Sequence, residues 1–276
     1  MEQVRYFLKK VIDIIKRPYM RILPGQLAFF SLMSLIPTIA LVGSIANYFS
    51  LSTDSLKQVT TAIIPLDLST MFTTYNMTGR GLNFNIIIFF FTAFIMASNG
   101  MHSVIITANE IYEYQDEGII ARRIKAIAMT FVIVALLFFL LVVTVFGDLF
   151  FDALKEYATN KEAASFFGTV FDYLKLPISI VLIHLNIRQL YRMAPDAGNS
   201  SKAPQYAAIF TTIVWTIGTE IYSIYVNYFA NYNLFYGSIS NIIILMVWIY
   251  FLAYVFVVGM GLSTIKFEKE SKVKKV

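Results

Sequence analysis

The chain has 276 residues, of which 58% are hydrophobic and only 14% charged, with a formal net charge of +5 and no cysteine. Soluble domains are nearer a quarter charged, so this chain has too little polar surface to cover a core in water and reads as an integral membrane protein. Lack of cysteine excludes disulfides and thiolate metal sites, and two histidines with no HExxH-type pair give no reason to expect a zinc site or a resident cofactor.

Residues 1–24 open the chain without the uninterrupted apolar stretch of a secretory signal. Val4, Phe7, Leu8, Val11, Ile14 and Ile15 recur at helical spacing, and Lys9, Lys10, Asp13, Lys16 and Arg17 fill the other face. That pattern predicts an amphipathic helix on the membrane surface, its basic residues toward anionic headgroups. Pro18 and the Pro24-Gly25 pair are expected to break the chain before it turns inward.

Six segments are apolar enough to cross a bilayer, near 27–50, 84–108, 126–151, 168–194, 206–230 and 237–265. Each supplies the roughly 20 helical residues that a hydrocarbon core requires. They are continuous runs rather than short alternating ones, which argues against a β-barrel. The connection 51–83 is semi-apolar and is expected to form short helices on the outer surface, and 266–276 is a basic tail. The fold class is therefore all-α, one integral membrane domain of six transmembrane helices with an N-terminal interfacial helix.

Basic residues orient it. Residues 1–26 carry six Lys/Arg, 109–125 three, 188–205 three and the tail five, which is 17 of the 22 in the chain. The excess on one side places both termini in the cytoplasm. It also accounts for the positive charge as a topology signal, so nucleic acid is not an expected partner, whereas membrane lipids and anionic headgroups on the cytoplasmic face are.

Polar residues inside the spans are the candidate functional groups, because leaving them unpaired in lipid is costly. In the second span Asn99, His102, Ser103, Asn109 and Glu110 share one side of a helix. In the fourth, Asp172 and Lys175 are three apart and able to pair, and Ser179 and Asn186 continue the stripe. In the fifth, Thr212, Trp215, Thr216, Thr219, Glu220 and Ser223 form a stripe in which Glu220 lies deep. In the first, Ser31, Ser34 and Thr38 share a face, and Pro37 frees the carbonyl of Met33 and should kink the helix. Asn241, Trp248 and Gly259 line up in the sixth. Two readings stand side by side. Such stripes let membrane helices approach closely and bond to one another. Alternatively they line a polar cavity for a headgroup, with Asn99, His102, Asn109, Glu220, Asp172 and Lys175 as its candidates and Ser34, Pro37, Gly100, Gly237 and Gly259 serving kinks and packing. Glu110, Glu113, Asp116 and Glu117 read as a solvated acidic edge. No Walker A loop, dinucleotide glycine pattern or GxSxG elbow is present.

Several segments together resemble the YihY/BrkB family of bacterial inner-membrane proteins, historically labelled ribonuclease BN. They are GQLAFFSLMSLIPTIALVGSI at 25–45, ASNGMHSVIITANEIYE at 97–113, IRQLYRMAP at 187–195 and the run 226–262. Ser34, Pro37, Asn99, Gly100, Asn109, Tyr191, Pro195, Tyr236, Gly237, Trp248 and Gly259 match its pattern. The last span departs from it. Family members often end it in a Gly-x-Glu-x-Asn-like stretch, and this chain has Gly259-Met260-Gly261-Leu262-Ser263 without the acid. The resemblance implies a bacterial inner-membrane protein with a role in envelope integrity and the export of a lipid or other amphiphile. The alternative is a non-transporting scaffold that binds a second copy or envelope proteins. Ribonuclease activity ranks last, because the cytoplasmic carboxylates at 110–117 would repel RNA.

Overall fold

The computed structural model describes residues 2–34, 84–114, 118–141, 161–196, 202–228 and 240–273. Among these, every regular element is helical. They are α1 (Glu2–Ile15), a 3-10 turn (Pro18–Arg21), α2 (23–34), α3 (Phe84–Tyr112), α4 (Ile119–Leu141), α5 (Lys161–Met193), α6 (Ala203–Tyr228) and α7 (Ser240–Val273).

Local chemistry sets the ends. Pro18 has no N–H to continue α1, so it starts the 3-10 turn instead. Pro24, expected to break the chain, sits in the first turn of α2, where its fixed φ suits a helix and its missing N–H is not needed. Gly118, at φ +102°, turns the chain into α4, and its carbonyl accepts the Arg122 N–H at 3.1 Å. As a result α4 starts at Ile119 rather than near 126, with Arg122, Arg123 and Lys125 on its first turns. Likewise α7 runs on to Val273, through most of the stretch expected to be a tail. Both differences have one cause. Hydropathy reports where a helix meets lipid, whereas backbone hydrogen bonding continues until a breaker stops it.

Among the described residues four helices contain stretches long and apolar enough to cross a membrane: Phe90–Tyr112, Gly168–Met193, Ala203–Val226 and Ile242–Thr264. The first and third expected spans run on into 35–50 and 142–151, which lie outside the described residues, as do Pro37, Gly237 and the outer segment 51–83.

The core is built around α7, which packs on α6, α3, α1 and the 3-10 turn, while α5 joins α6 to α4. Tyr191, Ile187, Ile105, Met129, Val257 and Met260 are fully buried there. Polar side chains bind the helices together, which matters in lipid because apolar burial gives helices no preference for each other over the bilayer. Tyr191 Oη donates to the Phe256 carbonyl at 2.7 Å and meets Thr211 Oγ1 at 2.8 Å. Trp215 Nε1 donates to the Leu252 carbonyl at 2.9 Å, and Tyr222 Oη to the Ile244 carbonyl at 2.7 Å. Gly259 lies directly against Tyr191 and Thr211, so any side chain there would meet them. The outer faces carry exposed apolar residues, such as Ile213, Ile217 and Ile221 on α6 and Val181 and Leu185 on α5.

Candidate interfacial site

α1, the 3-10 turn and the start of α2 lie against the end of α3 and the Gly261–Thr264 turn of α7. Ile14 is the anchor. It is buried, and a methyl at Gly261 would come within 2.9 Å of it, so the missing side chain on α7 is what lets α1 seat this closely. Between these elements is a cleft of about 710 Å³, within the size range of ligand pockets. Its apolar wall includes Ile14, Ile22, Leu23, Ile106 and Ile111. Its polar wall is Asp13, Arg17, Tyr19, Glu110, Tyr112, Glu113 and Tyr114.

The end of α3 shapes the polar wall. Glu113 has φ 55°, and Tyr114 N–H reaches back to the Asn109 carbonyl at 3.0 Å. This is the Schellman form of helix end, with a glutamate where glycine usually stands. The turn stacks Tyr112 on Tyr114, ring centroids 5.9 Å apart and planes within 7°. Tyr112 Oη donates to Ser263 Oγ at 2.8 Å, which holds the first ring against α7. Burial pushes the Tyr19 phenol up from its ordinary range, with Arg17 pulling it partly back. It remains a neutral donor at physiological pH.

Beside the cleft is a second polar group. Lys125 Nζ contacts Asp196 Oδ1 at 2.7 Å and the Ala194 carbonyl at 2.9 Å. Asn109 Nδ2 donates to Asp196 Oδ2 at 2.5 Å, and Asp196 N–H returns a bond to Asn109 Oδ1 at 3.1 Å. The Asp196 side chain is 3% exposed. With its charge paired and its oxygens bonded, the group ties α3, α4 and the end of α5 together.

The sequence-predicted residues fall in several places. Asn109 belongs to the Asp196 group, and Asn99 accepts from Arg123 Nη1 at 2.8 Å. His102 is half-buried, its Nδ1 without a hydrogen-bond partner. Glu220 is exposed on the Ile217–Ile221 face of α6. Lys175 Nζ lies 5.5 Å from the Phe171 ring centroid, and the Asp172 side chain is outside the described residues. Of the other stripe residues on α6, Thr219 accepts from Trp248 Nε1 at 3.2 Å and Thr216 bonds back to the Thr212 carbonyl at 2.9 Å. Ser34 bonds to the Ser31 carbonyl at 2.8 Å, and Gly100 lies beside Phe30 of α2. Asn99, His102, Asn109, Lys175 and Glu220 do not line the cleft, whereas their neighbours Ile106 and Glu110 do. Asp13, Arg17, Tyr19 and the two tyrosines at the end of α3 were not singled out as a site by spacing, because they come from separate helix ends. No sequence signal marked them, because Glu113 shows as the residue closing α3 only in the folded backbone. Among the described residues no three His, Asp or Glu side chains come together to hold a metal ion.

A family model described as "Virulence factor BrkB" matches residues 20–275. The chain belongs to the BrkB family. YfkH of Bacillus subtilis (strain 168), provisionally named a ribonuclease-like protein, is 29% identical over 242 residues, covering 85% of this chain and 86% of its own. The UPF0761 membrane protein PSHAa0171 of Pseudoalteromonas translucida (strain TAC 125) is 30% identical over 88 residues, 32% of this chain and 29% of its own. The UPF0761 membrane protein YihY of Salmonella arizonae is 26% identical over 98 residues, 36% of this chain and 34% of its own. No solved structure matches. As a member of the BrkB family the chain is a membrane protein with several apolar helices, and α1 precedes the matched residues.

Proposed function

We propose that this BrkB-family protein holds a lipid or other amphiphile and moves it across the bacterial inner membrane, in support of envelope integrity. On this reading both termini face the cytoplasm and the chain is not an enzyme. The observation that carries it is the cleft under α1. One wall is apolar and the other charged, its Asp13, Arg17, Glu110 and Glu113 side chains are exposed, and it is bordered by a helix whose own pattern suits the membrane surface. Such a cavity suits a molecule with a polar head and an apolar body. A ribonuclease would need a metal–carboxylate site or an acid–base pair beside a basic groove, and this cleft has three carboxylates to one guanidinium.

The test is movement of fluorescently labelled phospholipid in vesicles holding the purified full chain. Ile106→Trp, which fills the cleft, is expected to slow movement about tenfold, the rate equivalent of about 1.4 kcal/mol. Asn99→Ala and Glu220→Gln are companion variants. Loss of movement in both, with folding retained, brings α3 and α6 into the path, and unchanged movement confines it to the cleft. A parent protein that moves no lipid under any ion or voltage gradient sinks the transport reading.

The second reading is a scaffold without transport. Bonding between α6 and α7 favours it, since Trp215 and Thr219 of the α6 stripe spend their polar groups on α7. Stable stoichiometric partners on crosslinking, with no vesicle activity, would establish it.

A further inference from the structure

The composition of the cleft wall is more specific than an amphiphile requires. Asp13, Glu110 and Glu113 supply three carboxylates and Arg17 one guanidinium. An anionic headgroup would meet a net negative wall, whereas an ammonium group would be attracted by it. Tyr112 and Tyr114 add two stacked aromatic rings beside the carboxylates. Ring faces and carboxylates together are the usual surroundings of a bound ammonium. Arg17 then offers a paired donor set for a phosphate.

Glu113 sharpens this. Its φ of 55° is a conformation that costs a residue with a Cβ about 1 kcal/mol and costs glycine almost nothing. The chain nonetheless carries a carboxylate there, on the cleft wall. The apolar side, with Ile22, Leu23 and Ile106, suits acyl chains.

We infer that the cleft binds the headgroup of a zwitterionic, primary-amine phospholipid of the phosphatidylethanolamine class. Its ammonium lies on the acidic wall that Asp13, Glu110 and Glu113 give the cleft, beside the Tyr112–Tyr114 pair, and its phosphate on Arg17. The assignment rests on the lipid reading above but names the headgroup.

The experiment is lipid binding to the full chain in detergent, followed by native mass spectrometry. The probes are phosphatidylethanolamine, phosphatidylglycerol, phosphatidylcholine and free phosphoethanolamine. Phosphatidylethanolamine is expected to bind about tenfold tighter than phosphatidylglycerol, a preference of about 1.4 kcal/mol. Glu113→Gly and Glu110→Gln should each erase most of that preference, while Arg17→Gln weakens both lipids. Glu113→Gly relaxes the backbone, so failure to fold is not the expected explanation of its loss, and a melting curve checks this. Equal or tighter binding of phosphatidylglycerol or phosphatidylcholine, or a preference surviving both carboxylate variants, overturns the assignment. Phosphoethanolamine binding as tightly as the lipid would assign the site to a soluble amine phosphate and overturn the lipid assignment too. Lipid movement without headgroup preference overturns the headgroup assignment and leaves the transport reading standing. Preference without movement does the reverse.

Discussion

Gly259 and Tyr191 occupy one small volume at the centre of the bundle. The Tyr191 hydroxyl bonds Thr211 and the Phe256 carbonyl at once, and the bare Gly259 backbone makes room for it. Gly259→Ala puts a methyl into the same space and is expected to destabilise by about 2 kcal/mol, as overpacking does. Tyr191→Phe leaves Thr211 without that hydroxyl and should cost about 1–2 kcal/mol. Because the new methyl meets the hydroxyl, the double variant is expected to cost less than the two changes added. Melting temperatures of the three proteins in one detergent check this, and strict additivity would mean the two residues do not share the space. Glu113→Gly works the other way. Removing the positive-φ penalty should raise stability by up to about 1 kcal/mol, and a drop in melting temperature would mean the carboxylate contributes to the fold.

At the scale of elements, joints between helix ends decide the architecture. Asp196 meets Lys125 of α4 and Asn109 of α3 just past the end of α5. Asp196→Ala leaves a half-buried lysine without its counter-charge and is expected to cost about 3 kcal/mol, measured by chemical denaturation in detergent. Loss of under about 0.5 kcal/mol would place that lysine in water rather than in the joint. The seat of α1 is the second joint. Gly261→Ala brings a methyl within 2.9 Å of Ile14, so α1 must shift by a few tenths of an ångström or lift. Faster amide exchange along α1, with α6 and α7 unchanged, is the expected result. It would mark α1 as the movable wall of the cleft, and uniform exchange across all three helices would deny it that role.

For the whole molecule the outstanding matter is orientation. The chain has no cysteine, so single cysteines can be added to the natural sequence and labelled without interference. Lys9→Cys and Lys272→Cys are expected to react with a membrane-impermeant maleimide only when the inner face is open, as the basic excess at both termini requires. Labelling of either from the outer face would reverse the topology and move the cleft to the opposite leaflet.

Helical class and membrane character were legible from residue order alone, because the length and apolarity of each run are local properties. Four of the runs, from 84, 168, 206 and 237 onward, reappear as helices with membrane-length apolar stretches. The family was legible as well, through Asn99, Gly100, Tyr191 and Gly259 in sequence. Helix ends were less so. Whether Pro24 breaks a chain or begins a helix depends on which turn it occupies, and α4 and α7 run past the limits that hydropathy marks. The site depended on tertiary structure almost entirely. A single helical stripe held Asn99, Asn109 and Glu110, but each faces a different neighbour: Arg123, Asp196 and the cleft. Spacing along a helix says which residues share a side, while what stands opposite that side is set by how distant segments pack. Asp13 and Glu113 are a hundred residues apart in the chain. They line one cleft because Ile14 seats on Gly261 and a Schellman turn ends α3 beside it.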